Sequence, residues 1–71
     1  MSETDLMTEL SDVNRRIYAI KDQHFEASYL FDNAVTPSDI LESGQAFLDV
    51  ESEKCFLLGE KVDILEKLLL L

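Results

Sequence analysis

Only one short stretch of this chain can reverse its direction, and that limits the fold more than any other feature. Glycine and proline occur three times in all, at Pro37, Gly44 and Gly59, and the one cluster of turn-forming residues is Asp32, Asn33, Ala34, Val35, Thr36 and Pro37. Two long helices joined at that cluster follow from this distribution. Thr36 is placed as an N-cap, Pro37 as the first helical residue, and Asp39 as the third-position acid that reaches back to the cap. Val35 and Ile40 have the spacing of a hydrophobic staple across the same boundary, and Asn33 can close the first helix in a left-handed conformation. The sequence therefore predicts an all-α fold, an antiparallel coiled-coil-like hairpin forming a single domain over 1–71, with a helix at 3–33, a turn at 34–36 and a helix at 37–70.

Apolar periodicity supplies a trial register. In the first helix Leu6, Leu10, Val13, Ile17, Ile20, His24, Ala27 and Phe31 succeed one another at spacings of four and three. In the second, Leu41, Gly44, Leu48, Glu51, Cys55, Leu58, Val62, Leu65 and Leu69 do the same. Each is a coiled-coil stripe. Folding back at the turn sets Phe31 against Leu41, Ala27 against Gly44, His24 against Leu48 and Ile20 against Glu51. Ile17 then meets Cys55, Val13 meets Leu58, Leu10 meets Val62 and Leu6 meets Leu65. Ala27 opposite Gly44 would let the backbones approach closely; Gly59 has no role in this register. Leu69, Leu70 and Leu71 are expected to run past the start of the first helix.

A second apolar set flanks these stripes: Met7, Tyr18, Phe25 and Tyr29 on the first helix, and Ile40, Phe47, Val50, Leu57, Ile64, Leu68 and Leu71 on the second. The apolar arc of the second helix is wider than the roughly 100° that one neighbour covers. Surplus surface of this kind marks a protein interface, covered by a second hairpin in a four-helix bundle or by a helical partner. The partner-binding residues assigned on this basis are Tyr18, Phe25, Tyr29, Phe47, Val50, Leu57, Ile64, Leu68 and Leu71.

Size and charge narrow the setting. A chain of 71 residues buries too little surface to stabilise an elaborate fold unaided, so an oligomer or a partner is expected. Cys55 is the only cysteine and can pair only between chains, which fits a reducing, cytoplasmic compartment. Neither a secretory signal pattern nor a membrane-spanning run is visible. Fifteen acids against six bases give a formal charge of -9, which opposes direct binding to nucleic acid or to anionic membranes. A hydrophobic content of 46% is too high for a disordered acidic tail.

No catalytic constellation is legible, and neither an enzyme activity nor a cofactor is expected. Cys55 and His24 are about two heptad layers apart in the trial register, roughly 10 Å along the axis, and Cys55 reads as a small buried hydrophobe opposite Ile17. His24 and Glu51, the polar residues within apolar seams, fall in adjacent layers and read as a buried hydrogen-bonded pair that fixes register, with a pH-sensitive switch as the alternative. One His and one Glu are too few for a metal site. The remaining acids lie mainly off the seam as a solvated face, with Asp12–Arg16 and Asp63–Lys67 as four-apart helix pairs. An acidic mimic of DNA, of the kind phage inhibitors use to occupy a nucleic-acid-binding protein, is the functional alternative for that surface.

An acidic start, a long helix, a short turn, the opening Thr36, Pro37 and Asp39, and the apolar positions Ile40, Leu41, Phe47 and Leu48 that follow resemble the small hairpin co-chaperones of type III secretion needle subunits. The second helix is long for that group, and the tyrosine-containing segment expected after the opening is missing. The resemblance implies a cytoplasmic partner built of helical repeats, and a needle protein kept unpolymerised by the pair. The function predicted from the sequence is a small chaperone or adaptor subunit that binds other protein.

Overall fold

The computed structural model of the chain describes residues 2–71 and consists of two helices, α1 (Glu3–Asp32) and α2 (Pro37–Leu69), packed antiparallel along their length. The rod measures 53 × 15 × 12 Å. It is the all-α hairpin that the single turn cluster dictates.

Both helices begin with a side-chain cap. Ser2 Oγ accepts the Asp5 N–H at 3.2 Å, and Thr36 Oγ1 accepts the Asp39 N–H at the same distance. Pro37 stands at the first helical position, where its missing N–H costs nothing. Three details of the turn differ from expectation. Asn33 closes α1 at φ -102°, not in the left-handed region, because its side-chain amide donates to the Tyr29 carbonyl at 2.8 Å and its backbone N–H donates to the same oxygen. Val35 is almost fully exposed, so no staple to Ile40 forms. Asp39 gives its amide to the cap, with no reciprocal side-chain bond among the described residues.

The core is a single seam. α1 contributes Leu6, Val13, Ile17, Ile20 and Ala27, the stripe expected from its periodicity, and Leu10 packs against it. α2 is turned by one residue from the expected stripe, about 100° around its axis. Its inward positions are Ser43, Phe47, Val50, Lys54, Leu57, Lys61, Ile64 and Leu68, all buried or half-buried. Leu41, Leu48, Cys55, Leu58, Val62, Leu65 and Leu69 are exposed instead.

Packing volume explains the choice. The expected seam would set Gly44, Glu51 and Cys55 within three turns of one another against α1, filling less of the space between the two helices than the observed residues do. The observed one supplies Phe47, Val50, Leu57 and Ile64. Its charged members are lysines, whose aliphatic stems lie along apolar surface while the ammonium reaches water.

The helices are also offset axially by about one turn, roughly 5 Å, from the trial register. His24 meets Glu51 rather than Leu48, and Phe31 meets Gly44 rather than Leu41. At the far end Leu6 shares a shallow cavity with Lys67, Leu70 and Leu71 rather than facing Leu65. The terminal leucines therefore do not overhang α1 freely, although Leu69, Leu70 and Leu71 remain largely exposed. The offset reassigns the mid-helix glycine: a Cβ on Gly44 would come within 3.1 Å of Phe31 Cε1, so Gly44 admits the Phe31 ring and not the Ala27 backbone. A Cβ on Gly59 would meet nothing within 4 Å.

Candidate interaction surface

The rotation of α2 redistributes the residues assigned to partner binding. Leu57 and Ile64 are buried at 4% and 6% exposure, and Val50 and Leu68, half-buried, pack against them; these four belong to the seam that holds the hairpin together. Phe47 is half-buried between rings, with centroids 5.3 Å from His24 and 5.9 Å from Phe31. Tyr18, Phe25, Tyr29 and Leu71 are exposed. Shifting the α2 stripe by one residue exchanges core for surface.

His24 Nε2 and Glu51 Oε1 are in direct hydrogen-bond contact across the hairpin. The pair is not buried: the His24 side chain is 27% and the Glu51 side chain 44% exposed. It lies at the solvent edge of the seam, beside the Phe47 ring. Cys55, expected to be buried opposite Ile17, is exposed on α2. Its thiol lies one turn beyond Glu51, and His24 is engaged by that carboxylate.

The two sides of the rod differ sharply in chemistry. Each step along a right-handed helix turns 100°, and the two helices run in opposite directions, so the residue following each seam position points to the same side of the hairpin from both. On α2 these are Leu41, Gly44, Leu48, Glu51, Cys55, Leu58, Val62, Leu65 and Leu69. On α1 they are Met7, Ser11, Asn14, Tyr18, Lys21, Phe25, Ser28 and Asp32. Of fifteen acids and six bases in the chain, only Asp32, Glu51 and Lys21 occur on this side. Lys21 holds its ammonium 5.9 Å above the centre of the Tyr18 ring, a cation–π distance.

The residues preceding the seam positions form the other side, and there the acids collect. Glu9, Asp12, Glu60 and Asp63 line one open groove with Arg16 and Lys67, and Glu53 lies in a second with Arg16, Gln23 and Phe56. Asp5, Glu26, Asp39, Glu42 and Asp49 occupy equivalent positions, which brings ten of the fifteen acids to this side. Asp12 bonds Arg15 at 2.8 Å and lies 3.7 Å from Arg16, and Asp63 pairs with Lys67 at 3.2 Å. All five of these side chains are about half exposed or more, so each pair contributes a few tenths of a kcal/mol. Leu30 and Phe56 are the large apolar residues exposed on the acidic side.

The apolar side is legible in the sequence as a stripe, the one that the trial register places in the seam. Because α2 carries two coiled-coil stripes one residue apart, periodicity alone exposes both and ranks neither. No described helix is long and apolar enough to cross a membrane, and no three His, Cys, Asp or Glu side chains converge on a common point among the described residues. Neither a family model, nor a curated protein, nor a solved structure matches this chain.

Proposed function

We propose that this protein is a protein–protein interaction module, a small chaperone or adaptor subunit that docks other helical protein on the apolar side of its hairpin. One observation carries the reading: α2 keeps seven positions of a second coiled-coil stripe, Leu41, Leu48, Cys55, Leu58, Val62, Leu65 and Leu69, facing solvent after the hairpin has closed. Leu48 is 66% and Leu69 86% exposed, and Tyr18 and Phe25 widen the patch from α1. A contiguous apolar face of this extent is an interaction site, and its spacing suits a helix laid along it. The exposed thiol of Cys55 suits a reducing, cytoplasmic setting. A co-chaperone that shields a self-assembling helical subunit is the specific form of this function.

The acidic side supports a second reading. Ten carboxylates along one side of a 53 Å rod could occupy the groove of a nucleic-acid-binding protein as a phosphate backbone does.

One capture experiment separates the two. The immobilised chain is compared with Leu48→Glu/Val62→Glu and with Glu53→Gln/Glu60→Gln, all checked for unchanged helical circular dichroism. The module reading expects bound proteins to be lost with the first variant and kept with the second. Loss with the second alone, together with release by moderate salt, would overturn it in favour of the acidic side.

A further inference from the structure

We infer that the occupant of the apolar side is a second copy of this chain, with α2 packed antiparallel on α2 of its mate and the two-fold axis close to Cys55. The inference rests on the reading that this side docks protein, and it names what docks.

Charge is the first argument. Two chains that each carry -9 repel, and a self-complementary contact requires a face from which that charge is missing. The stripe from Leu41 to Leu69 bears one charge, Glu51, already engaged by His24 of its own chain. The acids lie on the opposite side, which in a face-to-face pair points outward on both copies. A partner recognised by charge would instead need the acidic side.

Area is the second. The exposed fractions of Leu41, Leu48, Leu58, Val62, Leu65 and Leu69, with Tyr18 and Phe25, amount to roughly 1,000 Å² on each copy, against the about 800 Å² per partner that a stable interface buries.

Symmetry is the third. Cys55 stands midway between Leu41 and Leu69, with Leu48 and Val62 at equal distances from it, so every second position of the stripe recurs when it is read from the other end. An isologous contact needs this property. Turning one α2 end for end about Cys55 lays Leu48 on Val62 and Leu41 on Leu69 of the other copy, with Glu51 at the level of Gly59, which has no side chain to displace. In the other two-fold arrangement, with both turns at the same end, the leucines of α2 would fall on the α1 row in which Ser11, Asn14 and Lys21 interrupt Met7, Tyr18 and Phe25. The first arrangement sets the more continuous apolar row, that of α2, on its own copy.

The test is the molar mass of the full chain by sedimentation equilibrium across a hundredfold dilution, joined to cross-linking at Cys55. The expected mass is twice that of the chain at the upper concentrations, falling to the single-chain value in Leu48→Glu/Val62→Glu. Both altered side chains are more than half exposed in the hairpin, so its helical signal should persist. A short bifunctional maleimide should join the wild-type chains through Cys55, which lies within about one turn of the axis, and should fail with Cys55→Ser. A single-chain mass throughout would overturn the second copy as occupant. The docking reading would still stand or fall separately, on whether the same double variant abolishes capture. A dimer that resists the double variant, or that the maleimide does not bridge, would overturn the arrangement.

Discussion

Exchanging Leu57 and Leu58 separately for alanine tests the rotation of α2, because the two neighbours differ by one step of the helix and by their place in the fold. Leu57 is 4% exposed within the cluster of Val13, Ile17, Ile20 and Ile64, whereas Leu58 is 43% exposed on the apolar side. Truncating a buried leucine removes its transfer free energy and leaves a cavity, about 2–5 kcal/mol in well-packed cores. A two-helix rod can relax around the gap, so the lower end, about 2–3 kcal/mol, is expected for Leu57→Ala. Leu58→Ala removes atoms already half in water and leaves no enclosed cavity, for a loss below about 1 kcal/mol. Both substitutions belong in the Leu48→Glu/Val62→Glu background, where self-association cannot lend Leu58 extra burial. Urea unfolding followed by helical circular dichroism reads the difference. With a slope near 1 kcal/mol per molar for a chain of this size, the midpoint should fall by about 2 M for Leu57→Ala and by less than 1 M for Leu58→Ala. An equal or larger shift for Leu58→Ala would refute the seam described above and restore the stripe that periodicity first suggested.

Gly59→Ala should raise stability by about 0.5–1 kcal/mol, since the added methyl meets open space and the helix loses a flexible residue; a loss in thermal unfolding would show that something packs there. Thr36→Ala should cost about 1 kcal/mol by leaving the Asp39 amide without its acceptor, with Thr36→Ser restoring most of it. Glu51→Leu should change the unfolding free energy by no more than about 1 kcal/mol, because the hydrogen-bonded pair it removes is partly exposed at the edge of the seam. A much larger loss would mean that the carboxylate is needed to hold the two helices in register. Raising salt from about 0.1 to 1 M shortens the screening length from about 10 to 3 Å, and should leave binding through the apolar side intact while weakening any complex made through the acidic one.

Much of the hairpin was legible from the chain because the governing interactions are local. Thr36, Pro37 and Asp39 act within one turn of one another, and the cap forms whatever else the protein does. The α1 stripe is legible for a similar reason: from Leu6 to Ile20 one row is apolar at every step, whereas the row of Met7, Tyr18 and Phe25 beside it is broken by Ser11, Asn14 and Lys21. The candidate site was less accessible. Periodicity marks Tyr18 and Phe25 as surplus, but it exchanges Leu57, Ile64, Val50 and Leu68, which belong to the seam, with Leu48, Leu58 and Val62, which belong to the surface. His24 and Glu51 were singled out together, although their direct contact required the axial offset that the structure supplies.

The sequence by itself determined that this protein has two helices, where they meet, which face of α1 turns inward, and that apolar surface would be left over. Only the tertiary structure decided which of the two rows on α2 was left over, and how far α2 slides along α1. Periodicity measures where apolar side chains recur, and two rows one residue apart recur equally well. The choice between them depends on how volumes fit across the seam, on Phe47 beside His24, Phe31 over Gly44, and lysine stems accommodated where a run of glycine, glutamate and cysteine would have left gaps. Those fits exist only once both helices are in place.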